Sequence, residues 1–139
     1  MLEPVYQRIL MSIPEGIERV VFNVLMDHVG AEHAIKRNDS VDARSGQATA
    51  GLVTKVNRYV KADDRQIRVA IANLRKDGHL IASCSSAEGG YYLPNTLTEF
   101  NEFVEREFDA KIRDMSETRG AMMQAAQRLW GKAYQKGLF

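Results

Sequence analysis

The sequence is poor in cysteine. It contains a single cysteine, Cys84, among 139 residues, so no intrachain disulfide can form and a disulfide-stapled secreted fold is excluded. A lone thiol is typical of a reducing compartment, and we expect a cytoplasmic protein. Cys84 lies in a strand-like run, where we interpret it as a small buried apolar residue rather than a nucleophile.

Long apolar runs are absent as well. The first residues include neither a basic segment nor the continuous apolar segment of a signal peptide. No run approaches the roughly 18 apolar residues that a membrane-spanning helix needs. We therefore expect no signal peptide and no membrane span.

Catalytic and metal-binding motifs are also missing. The three histidines, His28, His33 and His79, are scattered, and His28 and His33 do not share a helical face. No phosphate-binding glycine loop, nucleophile elbow or zinc-protease motif occurs. The sequence predicts no enzyme, no metal site and no cofactor.

The composition is that of an ordinary globular domain. Hydrophobic residues make up 45% of the chain and charged residues 27%, which is enough for one core. We predict a domain over residues 1–96, followed by a long helix over 97–139 that packs and self-associates.

Apolar spacing predicts helices over 4–12, 17–29 and 52–60, and a short strand at 34–35. The small polar stretch 38–51 leaves two alternatives open. It is either an interrupted helix beginning near Asp39 or a flexible insertion.

The stretch 63–77 gives the best-delimited helix. Ile67, Ala70, Ile71 and Leu74 form one apolar stripe. Asp63 and Gln66 predict a capping box at the start, and Asp77-Gly78 predicts the end.

Two β-type runs follow, at 80–84 and 91–93, separated by the glycine-containing loop 85–90. This pattern predicts a hairpin. Thr96 and Glu99 then predict a second capping box before a helix of about 30 residues with an apolar stripe from Leu97 to Trp130.

This order of elements resembles the winged helix-turn-helix superfamily. Residues 52–94 carry the resemblance, and the junction Leu-Arg-Lys-Asp-Gly-His-Leu-Ile is its most specific part. The resemblance implies a positioning helix over 52–60, a recognition helix over 63–77 and a wing over 85–90. The run GGYYLP and the long helix after it also look like small phage or prophage proteins. The expected fold class is mainly α with a small antiparallel β-hairpin wing (α+β).

Charge is segregated along the chain although the total is only +1. Residues 54–79 hold seven basic and three acidic residues, a local charge of +4, whereas residues 97–117 hold three basic and seven acidic residues, a local charge of −4. A basic segment on a helix of this kind suits phosphate and base contact in the major groove. The structural alternative is that exposed helix faces are usually charged. The candidate DNA-binding residues are Arg65, Gln66, Arg68, Asn73, Lys76, Lys55, Arg58, Lys61 and Ser86.

We therefore expect a DNA-binding transcriptional regulator that places the 63–77 helix in the major groove. Two alternatives remain: a winged-helix protein-interaction module, such as a phage accessory protein acting on a host or replication factor, and a replication accessory that binds DNA with little sequence preference. The apolar stripe of the last helix predicts a homodimer. The alternative is that this helix breaks near Gly120 and folds back.

Overall fold

The computed structural model describes residues 3–84 and 89–131. The chain divides into two compact units, residues 1–103 and residues 104–139. The described part is mainly helical, with small antiparallel two-stranded sheets and a long C-terminal helix, as the predicted α+β class requires. The elements are α1 (Glu3–Ser12), α2 (Ile17–Leu25), β1 (Ser40–Val41), β2 (Ala48–Thr49), α3 (Leu52–Asn57), α4 (Asp64–Lys76), β3 (Ala82–Ser83), β4 (Tyr91–Tyr92), α5 (Leu97–Val104) and α6 (Ala110–Trp130).

The core of the first unit forms where α2 packs on α4 and α3. Phe22 of α2 is fully buried. Its ring lies edge-on to Tyr6 of α1, at 6.2 Å between ring centroids, and to His79 after α4, at 5.8 Å. The other fully buried large side chains are Leu25, Leu52, Ile67, Leu74, Ile81, Leu93, Val21 and Val56.

α2 ends earlier than its apolar spacing predicts, at Leu25 rather than at Val29. The backbone after it is drawn toward the residue that follows β4: Leu93 N donates to His28 O, and Gly30 N donates to Leu93 O at 2.8 Å. Val29 packs against the core from an isolated bridge with Leu93, not from a helix. Gly30 permits the turn because its φ is +98°.

The interrupted-helix alternative for the stretch 38–51 was wrong, because this stretch contains a β-hairpin. β1 and β2 pair antiparallel, with Ser40 opposite Thr49. Asp42 shapes the turn by accepting from Arg44 N at 2.9 Å and from the Ser45 hydroxyl at 3.2 Å. These hydrogen bonds, that from the Arg44 amide first, hold the pKa of Asp42 below its usual value.

α3 covers only the first part of the predicted 52–60 helix. Its first amides are capped by the segment 36–39 instead of by a preceding side chain. Leu52 N donates to Lys36 O, Val53 N to Arg37 O, and Gly51 N to Asp39 Oδ1. Asp39 Oδ1 also accepts from the Thr54 hydroxyl at 2.6 Å.

The predicted hairpin is present. β3 pairs antiparallel with β4, with Ala82 opposite Tyr92. The predicted strand at 34–35 is reduced to Ile35, which exchanges two backbone hydrogen bonds of 2.9 Å with Tyr91. Residues 85–88, at the tip of the predicted wing, lie outside the described residues.

The helix after Pro94 begins as predicted, with Glu99 N donating to the Thr96 hydroxyl. The Glu99 carboxylate instead accepts from Asn95 N and from Ala31 N, which ties α5 to the turn after α2. Phe103 of α5 is buried, whereas Leu97 is 74% exposed.

The second unit consists of helical backbone over its described residues. A π-helical segment, Glu105–Asp109, precedes α6, and α6 runs through Gly120 without a break. No residue of α6 is buried. Over the residues that the structure describes, no helix is both long and apolar enough to cross a bilayer.

Candidate nucleic-acid interface

α4 begins at the predicted capping box and ends just before the predicted glycine. The Asp63 carboxylate accepts from Gln66 N at 2.7 Å, while the Gln66 side-chain oxygen accepts from Asp63 N at 2.9 Å. This reciprocal pair is the capping box. At the other end Gly78 has a φ of +91°, so the helix closes on a residue without a Cβ.

The buried stripe of α4 fixes which way its other side faces. Ile67, Ala70, Ile71 and Leu74 are each at most 2% exposed. The opposite side is exposed along the whole helix. Its residues are Arg65, Gln66, Arg68, Val69, Ala72, Asn73 and Lys76.

One line on this side points farthest from the core. At 100° per residue, Arg65, Val69, Ala72 and Lys76 lie opposite the centre of the buried stripe. Neither Arg65 nor Lys76 makes a hydrogen bond or ion pair with the described part of the chain. The line thus has a cation at each end and two small apolar side chains between them, and Val69 is 50% exposed.

One of the two acidic residues at the start of α4 is neutralised by ion pairs. Asp64 forms ion pairs with Arg37 Nε at 2.7 Å and with Arg68 Nε at 3.1 Å. Two guanidinium groups therefore flank one carboxylate, and this cluster keeps a net positive charge. Arg37 is a candidate that the sequence did not suggest, since no local pattern links it to a residue 27 positions later.

Gln66 and Asn73, both predicted to contact DNA, differ in their local contacts. Gln66 contributes its oxygen to the capping box, which leaves its amide nitrogen available for an outside partner. Both residues line a shallow groove of about 420 Å³ between α4 and the start of α2. Arg65 and Val69 of the outermost line also border this groove, and Glu18 makes its α2 side less favourable to phosphate.

The turn between α3 and α4 is braced by one side chain. Asn57 donates to Val53 O and to Ala62 O, each at 2.7 Å, and accepts from Ala62 N at 3.1 Å. These three bonds join the end of α3 to the residue before the α4 cap. Asn57 was not among the predicted functional residues, and its role here is to position α4.

The three basic residues predicted to contact phosphate from α3 and the turn after it differ in exposure. They are Lys55, Arg58 and Lys61. Lys55 is half-buried, with Nζ 3.3 Å from His28 Nε2. Lys55 and Arg58 line a cavity of about 560 Å³ formed with α1 and α2, separate from the α4 groove. Arg58 and Lys61 are exposed after α3.

Two further residues bear on the interface. Ser86, the predicted wing contact, lies outside the described residues. Arg75 points inward: Nε donates to Ile81 O at 2.8 Å, and its guanidinium lies over the rings of Tyr91 and Phe103. Arg75 therefore holds α4 to the hairpin and to α5.

No group of three metal-ligating side chains occurs within residues 3–84 and 89–131. Comparison with models of known protein families, with curated proteins and with solved structures gives no match for this chain.

Proposed function

We propose that this chain is a winged helix-turn-helix protein that binds double-stranded DNA through the exposed side of α4 and acts as a transcriptional regulator. The observation that carries the proposal is the outermost line of α4, where Arg65 and Lys76 have no partner within the described residues. A rigid helix with unneutralised cations facing outward suits a major groove lined by phosphates.

The spacing of this line suits the groove. Arg65 and Lys76 are eleven residues apart, roughly 16 Å along the helix axis at 1.5 Å per residue. A recognition helix lies along the major groove, so the two side chains can reach phosphates at two separate points along it. Val69 and Ala72, between them, then face base edges, where apolar contact with thymine methyl groups discriminates sequence.

The supporting residues fit the same role. Arg68 and Arg37 flank Asp64 and offset the negative charge at the start of α4. Asn57 and Arg75 make the bonds that orient α4 within the domain. A binding role, with no chemical step, accounts for all of these contacts.

The test is a titration of protein into fluorescently labelled random-sequence duplex DNA, with anisotropy recorded at several salt concentrations. Wild type is compared with Arg65→Ala/Lys76→Ala and with a control, Arg113→Ala/Arg128→Ala. Both doubles remove two positive charges from exposed helix positions, so they change the net charge equally.

We expect the α4 double variant to bind weakly and its slope of log affinity against log salt to fall by about 1.8, since each lost phosphate contact removes about 0.9. The control should bind as wild type does. Equal weakening in both doubles would indicate a general charge effect and count against α4 as the interface. No binding by wild type at about 50 mM salt would reject the DNA proposal and favour a protein-interaction module.

A further inference from the structure

Apolar side chains of α6 recur on one exposed side at heptad spacing. Met115, Met122 and Leu129 are seven residues apart and are 71%, 68% and 74% exposed. Ile112 and Ala126 fill alternate positions, in steps of three and four residues. Such a spacing is typical of the seam of a left-handed coiled coil. The coiled-coil seam of α6 is Ile112, Met115, Arg119, Met122, Ala126 and Leu129.

We propose that this seam pairs with the same seam of a second copy in antiparallel orientation, about a two-fold axis between Gly120 and Ala121. In this register every seam position faces another seam position. Ile112 faces Leu129 of the second copy, Met115 faces Ala126, and Arg119 faces Met122. The self-complementarity that a two-fold interface requires is therefore present in the spacing itself.

Arg119 decides between the two possible orientations. Parallel pairing would set Arg119 against Arg119 of the second copy, so two like charges would meet inside an apolar seam. Antiparallel pairing sets Arg119 against Met122, whose flexible thioether chain can cover the aliphatic part of the arginine. A single polar seam position is known to select helix register in this way.

The experiment uses the full chain and compares three single substitutions by sedimentation equilibrium over a wide range of concentration. Met115→Glu and Met122→Glu place the same charge at two similarly exposed seam positions. Gln124→Glu places it on the opposite, exposed side of α6 and serves as the control. Far-UV circular dichroism verifies that each variant keeps its helix content.

We expect wild type and Gln124→Glu to dimerise alike and Met115→Glu to weaken dimerisation at least tenfold, because its carboxylate faces Ala126. Met122→Glu should weaken dimerisation much less, since its carboxylate faces Arg119 of the second copy. Equal losses for the two methionine variants would reject the antiparallel register, because a parallel pair sets each glutamate against itself. A monomeric wild type, or a dimer that Met115→Glu leaves intact, would reject pairing through this seam. The result does not depend on DNA binding, so this inference and the proposed function can fail separately.

Discussion

Replacing Gly51 by alanine should destabilise the first unit because of the close approach before α3. A Cβ at Gly51 would lie 2.3 Å from the Asn38 carbonyl carbon and 2.5 Å from its oxygen. Both are backbone atoms, so relief requires the 36–39 segment to move away from α3. The φ of Gly51 is −85°, which any residue adopts, so the expected effect is steric and not conformational.

The magnitude follows from the bonds that this movement would strain. The amides of Gly51, Leu52 and Val53 all donate to the 36–39 segment. At about 1 kcal/mol each, their loss costs about 3 kcal/mol. The lower unfolded-state entropy of alanine returns about 0.5–1 kcal/mol. The net loss of about 2 kcal/mol corresponds to a urea midpoint lower by roughly 1 M for a small domain.

The assay is urea unfolding followed by far-UV circular dichroism, with Gly120→Ala as the matched control. A Cβ at Gly120 meets no atom within 4 Å, and alanine favours a helix interior over glycine by up to about 1 kcal/mol. The control should therefore unfold at the same or a higher urea concentration. A Gly51→Ala variant with the midpoint of wild type would refute the claim that 36–39 is packed tightly against α3.

Three further outcomes are expected. The Asp39 carboxylate accepts bonds from the Gly51 amide and the Thr54 hydroxyl, which lower its pKa; its contribution is present at neutral pH and lost as pH falls below about 4. The urea midpoints of wild type and Asp39→Ala should therefore differ at pH 7 and converge in acid, and a constant difference would contradict this. Asn57→Ala removes the three bonds of the α3–α4 turn and should cost about 2 kcal/mol, whereas exposed Asn73→Ala should stay within about 0.5 kcal/mol of wild type; similar urea curves for the two variants would contradict the bracing role. Burial, and then the charge of Glu99, raises the pKa of Tyr6 to about 12. The stabilisation of the fold by neutral Tyr6 is therefore intact below about pH 10 and is lost as pH rises from about 10 to about 12. Tyr6→Phe should remove the tyrosine that ionises at the highest pH from the ultraviolet absorbance titration. A titration curve unchanged at high pH would contradict the raised pKa of Tyr6.

α4 could be predicted residue by residue because its signals are local. The buried stripe and both halves of the capping box lie within one run of sequence, and helical periodicity combines them. The predictions failed where pairing partners are distant or strands are short. β1 and β2 have two residues each and are almost wholly exposed, so neither strand shows the alternation that reveals a half-buried strand.

The residues of the candidate interface also fall into those that the sequence could predict and those that it could not. The exposed side of α4 follows from periodicity, so Arg65 and Lys76 were accessible to sequence reasoning. Arg37 and Asn57 were not, because one acts through a distant carboxylate and the other through backbone groups. DNA contact by any of these residues stays a prediction.

The segment 36–39 reaches both α3 and α4. Its backbone carbonyls and Asp39 hold the first turn of α3, while Arg37 binds Asp64 in the first turn of α4. The β1–β2 hairpin begins and ends next to these contacts, at Asp39 and Gly51, but its residues 41–49 are exposed. Chain length can therefore change at the Arg44–Ser45 turn without displacing either helix, which makes this turn the natural insertion point for a reporter peptide or a fluorescent label.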